Sequence, residues 1–278
     1  MEGARLTSVA LNRADLRFPF PGDFAKQVQG RTVERLTRRA KYILADMDDG
    51  LTLAMHLGMT GRFTIVPGTD EGTDTAITPG AFYYTHGADP KHDHVVFGMS
   101  HGGSIRYNDV RRFGYMDLMP RAAMAGHPMF RALGVEPLSA DLSPGYLQTK
   151  AAGKSQSLKG FLLDQRIIAG LGNIYVCEAL FRARLSPASP ASVLAHPRKR
   201  YAEHLCMAIK SVLEEAIFAG GSSLRDYRHA DGGSGSFQES FNVYGRTGEA
   251  CSTGCGSAIQ RIVQQGRSTF YCPSCQSE

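Results

Sequence analysis

Four cysteines crowd the last 28 residues: Cys251 and Cys255 spaced C-x3-C, sixteen intervening residues, then Cys272 and Cys275 spaced C-x2-C. Residues 259–271 (IQRIVQQGRSTFY) lie between the pairs and read as two short strands around a Gln-Gly turn. Two cysteine pairs on adjacent turns can place four thiolates tetrahedrally around one Zn2+ ion. That implies a small C-terminal domain folded by metal. Four unrelated thiols or two disulfides are the competing explanations. The chain has six cysteines and no recognisable secretory signal, which favours a reducing compartment and a metal site. The C-x3-C pair is one residue longer than the commonest knuckle. Cys177 and Cys206 stand in apolar helical context and read as small core residues.

A chain of 278 residues can bury a sizeable core and is expected to form two or three domains. It holds no run of about 18 apolar residues, so no membrane span is expected. The net charge of +5 is only mildly basic. Its placement says more. Lys26, Arg31, Arg35, Arg38, Arg39 and Lys41 fall within sixteen residues with Glu34 as their one acidic neighbour. Such clustering suits phosphate binding, although a solvated strand or helix face would carry the same residues.

Along the first 118 residues the pattern is mostly antiparallel β, which predicts a sandwich. Strands are expected over 5–11, 38–46, 51–57, 61–66, 94–99 and 103–107, with Asp48-Asp49-Gly50 as a hairpin turn. Residues 67–90 are rich in Pro, Gly, Thr and Asp and read as an exposed loop. Beyond Pro120 the periodicity becomes helical. A short linker helix is expected over 121–133, then helices over 145–151, 157–167, 174–184 and 198–219, with a glycine-rich break at 168–173. The fold class is therefore α+β multidomain: an N-terminal antiparallel β-sandwich, a central α domain and a C-terminal zinc-finger β-hairpin.

Seven stretches, in order, carry a resemblance. They are 38–42 (RRAKY), 56–61 (HLGMTG), 91–94 (KHDH), 111–114 (RRFG), 164–175 (DQRIIAGLGNIY), 244–246 (YGR) and 266–272 (GRSTFYC). Together they resemble the formamidopyrimidine-DNA glycosylase / endonuclease VIII family over nearly the whole chain, and the 173–175 and 244–246 wording is closer to the formamidopyrimidine branch. The resemblance implies a helix-two-turn-helix architecture for the α domain. It also implies extrusion of an oxidised purine such as 8-oxoguanine or a formamidopyrimidine, cleavage of the glycosidic bond, and strand scission by β,δ-elimination. The implied partner is double-stranded DNA, the implied cofactor one Zn2+ per chain, the expected state a monomer, and the expected location a bacterial-type cytoplasm.

The resemblance also assigns roles. Lys41 matches a lysine credited with proton donation in β-elimination. It is expected in an apolar strand, where partial desolvation would lower its pKa. Arg267 matches an arginine credited with δ-elimination, though a guanidinium hardly deprotonates and reads better as a phosphate clamp. His92, Arg111, Lys154, Lys159 and Asn173 match DNA contacts. Taken alone, Lys154 reads as a solvated lysine and Asn173 as a helix N-cap. Met59, Arg111 and Phe113 match residues that fill the gap left by an extruded base. By spacing alone, Met59 and Phe113 would pass for core. Residue 110 is Val where the family usually has Pro, so that loop is expected to be less rigid.

The implied domains are 1–118 (truncated catalytic sandwich), 119–137 (linker), 138–228 (helix-two-turn-helix), 229–240 (flexible base-capping loop) and 241–278 (zinc finger). Family members open with Met-Pro-Glu, whose proline amine forms the Schiff base. Here residue 1 aligns about seventeen residues further in, so Glu2 is not the catalytic glutamate. The expectation is that Met1 is an internal methionine of a longer chain. The alternative is a genuinely short protein that binds damaged DNA without cutting it.

Overall fold

The structure is a computed structural model that describes residues 1–68, 89–196, 198–222 and 236–277. Most of the 67–90 loop and residues 229–235 of the expected capping loop lie outside these. The chain divides into two compact units. One contains Met1–Arg131, the other Ala132–Gly221 with Ser236–Glu278.

The first unit is a sandwich of two four-stranded antiparallel sheets. Strands β1 (Leu6–Leu11), β6 (Asp93–Met99), β7 (Ser104–Asn108) and β5 (Arg62–Val66) form one sheet, in that order. The other is ordered β2 (Val33–Arg39), β3 (Tyr42–Met47), β4 (Leu51–His56) and β8 (Tyr115–Pro120). Inward residues of both sheets, among them Leu6, Val95, Phe97 and Tyr107 against Val33, Met47, Leu53 and Met55, share one buried cluster. Burial of such a face is what commits each strand to its register.

Three local expectations change here. The stretch 38–46 is not one strand but the end of β2, a two-residue turn and the start of β3, with Arg39 opposite Tyr42. Ala40 takes φ 53 in that turn, a left-handed position that no Gly or Asn announces. A five-residue helix, α1 (Phe24–Val28), interrupts a stretch whose pattern is mostly antiparallel β; Phe24 and Val28 bury themselves under the sandwich. Strand β8 was not foreseen, because its Tyr-Met-Asp-Leu-Met-Pro wording lacks β-branched residues and its pairing with β4 is long-range.

The second unit is built on α2 (Pro144–Ala151), α3 (Leu158–Leu163), α4 (Asn173–Arg182) and α5 (Tyr201–Phe218). Ser143 caps α2 by accepting from Tyr146 N, as the sequence suggests. Helix α3 stops at Leu163 rather than 167, because Ile168 turns extended and bridges to Val135. The segment 236–240 is not free loop: Phe237–Ser240 forms a 3-10 turn whose Phe237 is buried in the helical core. The hairpin β9 (Gln260–Gln264) and β10 (Arg267–Tyr271) completes the unit. It packs on α4 through a second cluster of Cys177, Phe181, Val243, Ile259, Phe270 and Cys272. Glu178, fully buried on α4, accepts from the backbone N–H of Asn242, Val243 and Tyr244 and so fixes where the finger begins.

Candidate metal centre and nucleic-acid interface

All six cysteines are unpaired, which removes the disulfide explanation. The Sγ atoms of Cys251, Cys255, Cys272 and Cys275 all lie within 4.8 Å of one another. Cys251 and Cys275 are 3.9 Å apart and Cys255 and Cys272 3.5 Å. With Zn–S near 2.3 Å, a tetrahedral site needs S···S separations of about 3.8 Å. The donor set and its spacing therefore fit one zinc ion. Cys177 and Cys206 are buried away from this group, as expected of core residues.

The metal-ligating segments clasp the β9–β10 hairpin. Gln265 and Gly266 both take positive φ, 51 and 71, in a two-residue turn, so Gly answers a backbone need there. Arg267 follows at the exposed start of β10. Its neighbours are held firmly. Lys159 Nζ donates to Ser268 O at 2.9 Å and to Thr269 Oγ1 at 2.6 Å. Thr269 Oγ1 donates to Gln264 Oε1, and Gln264 Nε2 to Pro187 O.

The expected DNA contact at Lys159 is thereby corrected. Lys159 is 0% exposed and both named acceptors belong to the finger. Burial, and then the Arg267 charge, push its ammonium below its ordinary pKa. Its place on the buried face of α3 makes it a bolt between helix and hairpin. Lys154, five residues earlier, is exposed and remains available to a polyanion.

Asn173 is the first residue of α4, and its side chain does not cap the helix, since Gly172 occupies the cap position. Instead Asn173 Nδ2 donates to Ser268 O at 3.0 Å, while its buried Oδ1 has no partner. The glycine turn ahead of it is organised by Gln165. That side chain accepts from Gly170 N and donates to Leu163 O and Leu171 O.

In the sandwich unit, Met59 and Phe113 are 62% and 40% exposed, so neither is a core residue. The Arg111 guanidinium lies over the Phe113 ring, 4.5 Å from its centroid. The turn 57–61 and the loop 109–114 touch backbone to backbone: a β-carbon on Gly58 would come within 2.5 Å of Gly114 N. His92 joins the same end, its carbonyl accepting from Asp109 N at 3.1 Å.

Lys41 is corrected too. It sits exposed in the β2–β3 turn, so the desolvated setting expected for it is absent. The desolvated group nearby is His56, which the sequence reading passed over although it opens the HLGMTG stretch. Its ring stacks on Tyr115 with centroids 5.1 Å apart, and its Nδ1 accepts from Gly58 N. Burial, then the Lys41 and Arg17 charges, lower its pKa from 6.5 to about 4. The ring is therefore neutral at pH 7, with Nε2 carrying the proton. Because the folded chain resists protonation here, the unfolded chain binds the extra proton between pH about 6.5 and about 4. Stability is intact above that window and falls as pH drops through it, by up to about 3 kcal/mol. Titrating stability against pH for a His56→Gln variant is expected to show that limb flattened; an unchanged limb would assign it to other groups.

Residues 1–116 match the family model described as the formamidopyrimidine-DNA glycosylase N-terminal domain. Residues 133–228 match that of the formamidopyrimidine-DNA glycosylase H2TH domain, and 248–277 that of the zinc finger found in FPG and IleRS. The formamidopyrimidine-DNA glycosylase of Rhizobium leguminosarum bv. trifolii is 54% identical over 283 residues, covering 99% of this chain and 94% of the relative. The chain belongs to the formamidopyrimidine-DNA glycosylase family. The same name is carried by a Bradyrhizobium relative, 54% identical over 280 residues with 99% and 94% coverage. Among solved structures, Lactococcus lactis Fpg in complex with abasic-site DNA superposes with a TM-score of 0.82 at 29% identity, over 100% of this chain and 94% of that one. The Thermus thermophilus MutM (Fpg) protein does so with a TM-score of 0.81 at 35% identity, over 100% and 93%. These matches bear out the expected fold class and the expected zinc.

Proposed function

We propose that this family member works in base-excision repair, as a DNA glycosylase and DNA-(apurinic or apyrimidinic site) lyase that removes oxidised purines from double-stranded DNA. Membership along nearly the whole chain supports the reaction. The observation that carries the reading for this chain is the exposed pair Met59 and Phe113 on two loops in backbone contact. An apolar pair held in solvent on a rigid frame costs the free protein solvation and is repaid only in a complex. Extruding a base costs a few kcal/mol of stacking, and an apolar wedge with a planar cation beside it offsets part of that. Met59, Phe113 and Arg111 fill the vacated space in this reading, and His92 meets the backbone next to them.

Each unit contributes its own contacts. Lys41, exposed on the sandwich, meets a phosphate with its ammonium or donates a proton in β-elimination. Lys154 and Asn173 meet phosphate from the helical unit. Arg267 clamps a phosphate from the zinc hairpin and favours departure of the second phosphate in δ-elimination. Zinc is structural here, since all four positions are taken by thiolates and none is left for water or substrate. No helix among the described residues is long and apolar enough to cross a membrane. A monomer acting on DNA in a bacterial-type cytoplasm completes the proposal.

The test is equilibrium binding of the chain to matched duplexes with and without a single 8-oxoguanine. Preference for the lesion by about tenfold is expected, which corresponds to about 1.4 kcal/mol of differential binding. The dependence of log affinity on log salt is expected to lose about one unit of slope in Arg267→Ala, as one phosphate contact goes. Equal affinity for both duplexes would overturn the lesion assignment, and an unchanged slope would remove Arg267 from the interface.

A further inference from the structure

Polar contacts join the two loops that carry Met59, Arg111 and Phe113, and most of them meet at one carboxylate. Asp109 is 0% exposed and lies just past the end of β7. Its Oδ1 accepts from the Thr60 hydroxyl, one residue beyond Met59. Its Oδ2 accepts from Gly114 N at 2.8 Å, one residue beyond Phe113, and from Tyr107 Oη at 3.0 Å. The Thr60 oxygen in turn accepts from Arg111 N at 3.1 Å. The backbone of Asp109 is tied down as well: its N–H donates to His92 O at 3.1 Å, and its carbonyl accepts from His94 Nε2 at 2.8 Å.

Two further observations say that this loop needs such a fastening. Arg112, between the two wedge residues of the loop, takes φ 57, a left-handed conformation that costs a non-glycine residue energy unless its surroundings impose it. Residue 110 is a half-exposed valine, whose backbone no ring restrains. Burial first, and then the adjacent carboxylate, push the Tyr107 hydroxyl above its ordinary pKa, so it stays a donor throughout the working range. A buried carboxylate with three donors aimed at it is held in one orientation.

We propose that Asp109 is the positioning residue of the base-extrusion wedge: its buried carboxylate sets Met59 against Phe113 and Arg111, and with that spacing the preference for DNA from which a base is missing or displaced. This rests on the reading that Met59, Arg111 and Phe113 fill the vacated base position. Asn at 109 keeps the shape but replaces one acceptor oxygen by a donor NH2. Either the Thr60 hydroxyl or the Gly114 N–H then loses its acceptor, and the two loops part.

The experiment measures affinity of the full chain for a duplex containing a tetrahydrofuran abasic-site analogue and for the intact duplex. A 2-aminopurine opposite the analogue reports wedge insertion by its fluorescence. Removing the wedge itself, in the Met59→Ala/Phe113→Ala double variant, is expected to abolish the fluorescence change and the preference. If it does neither, the void-filling reading fails, and the role of Asp109 with it. Asp109→Asn is expected to lower the preference by about tenfold while affinity for the intact duplex stays within about twofold. Thr60→Val, which removes the shared hydroxyl but no charge, is expected to lower it by about threefold and decides the matter should Asp109→Asn fail to fold. Adding Asp109→Asn to the wedge-deleted chain is expected to change nothing more, since positioning matters only while there is a wedge to position. Full preference in Asp109→Asn, or in Thr60→Val where that variant decides, overturns the proposal. So does a further loss in the combined variant.

Discussion

Cys272→Ser loses its zinc and, with it, the folded β9–β10 hairpin. Cys272 is 0% exposed and its sulfur stands 3.5 Å from that of Cys255. A serine hydroxyl does not ionise at neutral pH and cannot replace a thiolate. Structural zinc contributes about 10–16 kcal/mol of apparent folding free energy in isolated finger peptides. Nothing in the finger can offset such a loss. Its own apolar share of the cluster on α4 is small, chiefly Ile259 and Phe270 with Val243 ahead of them. The helical core around Leu147, Phe161, Leu180 and Ile209 is a separate cluster and is expected to survive. The measurable outcome is metal content falling from one per chain to well below half, with helical circular dichroism largely retained and affinity for damaged duplex DNA lost. A variant that still holds one zinc per chain would show that the four-thiolate assignment is wrong.

Lys159→Met is the second large effect, and it comes from a residue that touches no ligand. Methionine fills nearly the same volume but donates nothing. Ser268 O keeps its bond from Asn173 Nδ2, and Thr269 keeps its bond to Gln264, while both lose the charge-assisted partner. Each weakened buried group costs about 1–3 kcal/mol, so a loss of about 3 kcal/mol of stability is expected, seen as an earlier denaturant midpoint. The hairpin also loses its fixed distance from α3. Gly160 lies directly against the Gln265 side chain, so the two surfaces are fitted and small shifts reach Arg267. The slope of log DNA affinity against log salt is therefore expected to fall by up to about one unit, as Arg267 loses its phosphate. The exposed Lys154→Met is the control and should change stability by less than about 0.5 kcal/mol. Equal behaviour of the two variants would mean that Lys159 is no bolt.

The same pair shows how far the chain could be read without its fold. Lys154 stands four residues before α3 and Lys159 is its second residue, yet both are lysines beside a glycine, and local pattern treats them alike. What separates them is a hairpin more than a hundred residues away, whose carbonyl and hydroxyl meet one ammonium and not the other. Lys41 went astray for a smaller reason: a turn at Ala40 with φ 53 is invisible when the residue in it is not Gly, Asn or Asp. Asp109 and Thr60 gave no signal because a buried polar pair differs from an exposed one only in what surrounds it. Met59 and Phe113 pass for core by spacing alone; the resemblance reads them as void-filling instead, and both are exposed.

Cysteine spacing, the Gln-Gly and Asp-Asp-Gly turns, the β-to-α change near Pro120 and the seven ordered motifs were determined by sequence alone. Each depends on residues close together along the chain, or on a residue type whose chemistry has few uses. Which lysine is bolted and which is free, which apolar side chains stand in water, and which carboxylate spans two loops were decided by tertiary structure. Those are matters of burial and of partners far away in sequence, and a polar group's energy depends on its surroundings more than on its identity.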